Sequence, residues 1–180
     1  AGAEWMLHSI LKWMVQQGHE CTVLTEADSD FEMDGVWVKK DIFVNNDREY
    51  RWCDIAITHL SRAGKAWNFA HDYRKPIIHI CHNDHTNRLT EVKTDFHMVY
   101  NSDWMWKSLE RQGYREGFIL HPPVWFDEYH TNGEVERKFI TLINCWEKKG
   151  GQVLADLART MPDRQFIGVL GGYGDQIKAE

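Results

Sequence analysis

Short apolar runs rich in β-branched residues return along this chain at intervals filled by helix-like segments, and that alternation narrows its fold more than any other feature. The first segment, GAEWMLHSILKWMVQQG, sets Leu7, Ile10, Leu11, Met14 and Val15 three and four apart and meets Gly18 where a helix stops. CTVLT (21–25) reads as a buried strand. The runs VWV (36–38) and IFV (42–44) are further candidates, ahead of a stronger strand in CDIAITHL (53–60). RAGKAWNFAHDYRK (62–75) has helical composition and ends at Pro76. IIHICH (77–82), HMVYN (97–101) and GFILH (117–121) continue the strands. Between the last two, SDWMWKSLERQG predicts a helix capped by Ser102 or Asp103 and stopped by Gly113. Strands separated by helices in this way predict an α/β fold: a doubly wound parallel sheet covered on both faces.

At HPPVWFDEYHTNGEVER (121–137) the pattern lapses into proline, glycine and charge, which marks a linker. A first domain is expected over 1–124, a linker over 125–137, and the start of a second α/β domain over 138–180. That second piece supplies one strand, helix and strand: KFITLIN (138–144), GGQVLADLARTM (150–161) and QFIGVLGG (165–172). It is too small to cover both faces of a sheet by itself. The first domain opens on AGAE with no strand before its helix, where such folds normally place one. Both ends of the native fold are therefore expected to lie outside these 180 residues, unless the protein is naturally reduced.

With 43% hydrophobic residues and nine tryptophans, the chain has material for a substantial core. A net charge of -6 argues against nucleic acid as a main partner. No apolar stretch approaches the roughly 20 residues of a membrane-spanning helix. The four cysteines, Cys21, Cys53, Cys81 and Cys145, stand far apart without a Cys-x-x-Cys pair, as expected of reduced thiols in a cytoplasmic protein. The tryptophans Trp5, Trp13, Trp104, Trp106, Trp125 and Trp146 are expected to be mostly core, with only one of Trp104 and Trp106 able to face fully inward.

The densest polar cluster is HICHNDH (79–85). Strand alternation puts His79 and Cys81 on one face and Ile80 and His82 on the other. His82, Asn83, Asp84 and His85 fall just past the strand's carboxyl end, where open α/β sheets bind ligands. The alternative is a set of loop residues capping the next segment. Zinc is not expected, because no fixed metal motif such as His-Glu-x-x-His accompanies these ligand types. Gly2, at the mouth of the first helix, leaves its N–H groups open to an anion, or is only a turn residue. Lys149, before Gly150 and Gly151, joins a point charge to a helix start, or is an ordinary solvated lysine. Gly171, Gly172 and Gly174 follow the last strand at a crevice position, or form a flexible connection.

Four stretches carry a resemblance. AGAEWMLHSILKWMVQQGHECTVLT (1–25) is similar to the GGAE...GHEVTVLT opening of glycosyltransferase family 4, retaining nucleotide-sugar enzymes with the GT-B fold. YNSDWMWKSL (100–109) resembles that family's serine-rich strand-to-helix turn, and ILHPPVWFDEYH (119–130) its VIPNGVD...F stretch. FITLINCWEKKGGQVLADLARTMPDRQFIGVLGG (139–172) resembles ILFVGR...KG...IVGG. The four fall in the family's order and span nearly the whole chain.

The resemblance implies a Rossmann-like, acceptor-side first domain and the first unit of a donor-side Rossmann-like domain. It implies sugar transfer with retention from a nucleotide diphosphate donor to an unknown acceptor, without metal or other cofactor. Gly2, Asn144, Lys149, Gly150, Gly171 and Gly172 would hold the donor, and His82 would be the catalytic residue facing its sugar. Asn83, Asp84 and His85 would contact sugar or acceptor. The family's arginine upstream of the lysine is replaced here by Asn144 and Cys145, which removes half of the diphosphate clamp. Its Glu-x7-Glu motif falls beyond residue 180, so these residues alone are expected to bind donor poorly and turn over slowly or not at all. A non-catalytic binding module is the alternative, and a nucleotide-sugar epimerase a third. Association through an exposed sheet or a missing-domain surface is a further expectation.

Overall fold

A computed structural model describes residues 2–40, 47–60, 63–83, 96–110, 117–129, 133, 138–172 and 174–178. Contacts divide the chain into a unit over Gly2–Trp125 and a second that contains Phe126–Glu180.

The first unit opens with helix α1 (Gly2–Gln16). It ends as Gly18 predicts: with φ +90° at Gly18, the Gly18 N–H donates to Val15 O and the His19 N–H to Met14 O, which satisfies two end carbonyls. Strands β1 (Thr22–Thr25), β2 (Phe31–Met33) and β3 (Val36–Lys40) form a sheet in the order β1-β3-β2. β1 and β3 are parallel, and β2 and β3 form an antiparallel hairpin. Its turn is Asp34–Gly35, both at positive φ, as a two-residue hairpin requires. The sequence reading overlooked β2, although Asp-Gly is its signal. The predicted strand 42–44 lies outside the described residues.

A second sheet is parallel throughout, with strands β4 (Ala56–His59), β5 (Ile77–Cys81), β6 (Phe96–Tyr100) and β7 (Gly117–Ile119) in that order. Helices α2 (Asp47–Trp52), α3 (Ala63–Asp72) and α4 (Asp103–Glu110) complete the unit. Cys81, Met98 and Tyr100 pack with Ala63, Met105 and Leu109 on one face, where Ala56 and Ile77 also meet Ala70. On the other face Ile80 and Val99 lie under Met6 of α1. The first unit is thus an α/β structure whose parallel sheet has helices on both faces. β1 and β4 each have a single strand neighbour, and Leu7 and Ile57 pack into both the Met6 cluster and the Leu11–Cys21–Val36 cluster, so α1 spans the two sheets. At the start of α4 the Met105 N–H donates to Ser102 Oγ at 3.2 Å, which makes Ser102 rather than Asp103 the cap.

In the second unit, one helical turn α5 (Phe126–Tyr129) occupies part of the stretch read as a linker. Parallel strands β8 (Phe139–Ile143) and β9 (Gln165–Val169) are joined through a 3-10 turn (Glu147–Lys149) and helix α6 (Gly151–Thr160). Gly168 faces α6, its Cβ position lying 3.6 Å from Leu154 Cδ2. Register therefore puts Phe139, Ile143, Ile167 and Val169 on the opposite face. They are 51%, 74%, 39% and 44% exposed.

The expectation of mostly core tryptophans is corrected. Trp5, Trp13 and Trp104 are exposed, because α1 and α4 bury Met6, Leu11, Met105 and Leu109 instead. Trp106 packs against the core, and Trp104 points outward, as their spacing requires. No described helix is long and apolar enough to cross a membrane, and all four cysteines are free thiols.

Candidate functional site

Two histidines end adjacent parallel strands on the same face. His59 is the last residue of β4 and pairs in register with Ile80 of β5. His82 lies two residues past Ile80, so alternation returns it to that face, beyond the carboxyl end of β5. Their ring centroids are 5.4 Å apart and nearly perpendicular, at 72°. The same face carries α1, whose Met6 covers Ile80. Two residues N-terminal to Met6 stands Glu4, close enough for its charge to act on both imidazoles. The start of α1, His59 and His82 thus meet at the carboxyl edge of the sheet. Gly2 begins that helix, and a Cβ built there would touch nothing within 4 Å, so its approach is open.

Burial pushes the His82 imidazole down to about 4; His59 adds to the shift and Glu4 opposes it. Burial also lowers His59, again against Glu4. A backbone hydrogen bond holds the Glu4 carboxyl below its usual range. At neutral pH the group therefore comprises two neutral imidazoles and one carboxylate. His59 Nδ1 and His82 Nε2 are buried and make no hydrogen bond among the described residues.

His79 and Cys81 point the other way, as alternation predicts. His79 is fully buried with its ring edge against Phe96, and burial pushes it down to about 4 and Cys81 up to about 12. Asn83 is half-buried next to His82. Asp84 and His85 lie outside the described residues. No group of three or more His, Cys, Asp or Glu among the described residues is placed to hold a metal ion.

In the second unit the donor-binding candidates fall into two neighbouring sets. Asn144, at φ +67°, ends β8 and accepts through Oδ1 from Gln176 Nε2 at 3.0 Å and from the Trp146 N–H at 3.3 Å, which leaves its amide NH2 as the donor. Gly171 donates its N–H to Gln176 Oε1 at 2.9 Å, and a Cβ on Gly171 would lie 2.5 Å from Asn144 Cγ. Glycine there is a packing requirement. Gly172 has open space. Lys149 is exposed in the 3-10 turn, and Gly150, at φ +94°, turns the chain into α6. Gly151 is where α6 touches the strand side, since a Cβ there would clash with Cys145 O. Cys145 itself is buried with its thiol toward the carbonyls of Leu142 and Val169, so it offers nothing to a phosphate.

A shallow groove of about 400 Å3 lies at the other end of the sheet, lined by Ile55, Pro76, Phe96, Gly117 and Phe118 among others. Its lining is apolar apart from His97, and it holds none of the groups above. The shifted imidazoles His59 and His82 gather at the histidine edge, away from the groove.

No family model, curated protein or solved structure matches this chain significantly. Sequence reasoning missed His59, Glu4 and Gln176. His59 had a legible signal, since it closes the strand AITH as His82 directly follows IIHIC.

Proposed function

We propose that the protein is built for retaining transfer of a sugar from a nucleotide diphosphate donor to an acceptor, in the GT-B manner that its motifs resemble. The observation that carries the reading is the meeting of the open start of α1 with His82 at the carboxyl edge of the parallel sheet. Those are the two first-domain positions that the resemblance assigns to donor and sugar. A neutral His82 is suited to orient a sugar hydroxyl through hydrogen bonds and unsuited to donate a proton as an imidazolium at neutral pH. In the second unit Lys149 brings a charge to the start of α6, where departing diphosphate needs stabilisation, with the N–H groups of the Gly150 turn beside it.

The burial of Cys145 and the engagement of Asn144 favour a second reading, a binding module without turnover, because nothing at those two positions replaces the family's arginine charge.

Calorimetric titration with a panel of uridine, adenosine and guanosine diphosphate sugars tests the proposal. The expected result is weak binding, with a Kd on the order of 1 mM, or about -4 kcal/mol. His82→Ala and Lys149→Ala should each weaken it about tenfold with folding unchanged. Binding that neither variant alters would remove those residues from the site, and the absence of binding across the panel would contradict the proposal.

A further inference from the structure

We propose that Gln176 is a positioning residue: it fixes the Asn144 side chain so that only the amide NH2 is left to meet a ligand at the carboxyl end of β8, where it donates to a phosphoryl oxygen. The backbone sets the polarity of both amides. The Gly171 N–H donates to Gln176 Oε1 at 2.9 Å, and Gln176 Nε2 donates to Gly174 O at 3.3 Å and to Asn144 Oδ1 at 3.0 Å. The Trp146 N–H donates to the same Asn144 oxygen at 3.3 Å. An N–H cannot accept and a carbonyl cannot donate, so turning Gln176 over would oppose like groups at Gly171, Gly174 and Asn144. Turning Asn144 over would set its NH2 against the Trp146 N–H and the Gln176 amide. Each amide is therefore locked in one orientation.

The surrounding chain holds Gln176 where this lock needs it. Residues 174–177 return against the end of β8: Trp146 and Gln176 form an antiparallel bridge, and the Ile177 N–H donates to Cys145 O at 2.9 Å. Gly174 lies at φ +73°, and a Cβ there would be 2.7 Å from the Trp146 ring, so the return requires glycine. The Cβ position of Gly171 is 2.5 Å from Asn144 Cγ, which leaves the Asn144 amide no room to swing aside on that flank. Asn144 Nδ2 makes no hydrogen bond among the described residues, although Asn144 is only half-buried and Gly172, next to Gly171, borders open space. One end of the side chain is thus defined by groups that cannot change polarity, and the other is left at the edge where open α/β sheets bind ligands. A group that only donates matches a ligand atom that only accepts, and a phosphoryl oxygen is such an atom. The identity of the ligand rests on the nucleotide diphosphate reading, whereas the polarity of the amide pair stands without it.

The test follows the side-chain amide signals of the 15N-labelled protein by NMR during titration with inorganic pyrophosphate and, separately, with uridine. Pyrophosphate should move the Asn144 NH2 signals saturably, and uridine should not. Gln176→Met keeps the length of the side chain without its amide and should weaken pyrophosphate binding about tenfold. Ile177→Ala loosens the same returning segment with both amides intact, so it should lower the melting temperature and leave pyrophosphate affinity unchanged. A merely structural Gln176 would instead give parallel losses in the two variants. Asn144→Asp still accepts from the Trp146 N–H and from Gln176 but turns an oxygen toward the ligand, so it should keep the fold and lose pyrophosphate binding. Pyrophosphate leaving the Asn144 signals unmoved, or uridine moving them in its place, would overturn the proposal in the unsubstituted protein even if a variant failed to fold. Equal affinity in Gln176→Met and the native protein would do the same. An Asn144 response to pyrophosphate without binding of any nucleotide diphosphate sugar would keep the role of Gln176 and remove the sugar-donor reading. Binding of a nucleotide sugar with the Asn144 signals unmoved would remove the role of Gln176 alone.

Discussion

His79 brings both ring nitrogens into the sheet interior without a hydrogen bond to either among the described residues, and Thr58 beside it in register leaves its hydroxyl in the same condition. An unpartnered buried polar group costs about 1–3 kcal/mol, whereas an apolar side chain of similar shape costs nothing of the kind. His79→Leu should therefore raise stability by about 1 kcal/mol at pH 7, seen as a melting temperature higher by about 2–4 °C. The same residue sets a pH dependence. Its imidazole is held down to about 4 in the folded protein and titrates near 6.5 when unfolded, so the unfolded chain binds more protons between those values. His82 is shifted in the same direction and to the same value. Stability should be fully present above about pH 6.5 and fall as pH drops toward 4. Thermal melts across that window should show a shallower decline in His79→Leu than in the native protein. An equal decline would mean that His79 is not the group being protonated.

Elements differ in how much of their geometry the residues announce. β5 was readable to the side chain, because its apolar run is long enough for alternation to separate His79 and Cys81 from Ile80 and His82. The Gly18 stop was equally plain, whereas the cap of α4 was legible only as Ser102 or Asp103, and the Met105 N–H to Ser102 Oγ bond decides between them. β2 escaped because Phe31, Glu32 and Met33 show no buried face of their own, and its strand exists through pairing with β3. His59 escaped for a related reason: a single histidine at a strand end acquires meaning only when the ladder sets it beside another. Glycines were ambiguous until their surroundings were known. Gly2 has open space and Gly151 abuts a carbonyl, so identical substitutions should part company. Gly2→Ala should leave the melting temperature unchanged. Gly151→Ala should lower it, because α6 must move away from Cys145 O. Ser102→Ala should cost about 1 kcal/mol through loss of the cap on α4, measurable by denaturant unfolding.

The whole molecule joins a first unit whose described residues form four buried clusters to a second whose two-stranded sheet leaves one apolar face exposed. The alternation of strands and helices made the α/β class legible from sequence. The second unit's shortage of core was legible from its length, because two strands and one helix cannot enclose a sheet. Phe139, Ile143, Ile167 and Val169 together form the kind of patch through which proteins associate. Ile143→Lys should thus reduce concentration-dependent self-association in sedimentation velocity while leaving the unfolding free energy within about 0.5 kcal/mol of the native value, since the residue is 74% exposed. The central claim concerns the other unit's edge, where α1, His59 and His82 meet, and it is a claim about chemistry on a sugar. The most direct measurement is proton NMR of anomeric signals during prolonged incubation of the protein with nucleotide diphosphate sugars and polyol acceptors. The account predicts slow formation of a product with the donor's anomeric configuration, reduced at least about tenfold in His82→Ala. Product of inverted configuration, or product formed at the same rate without His82, would contradict it.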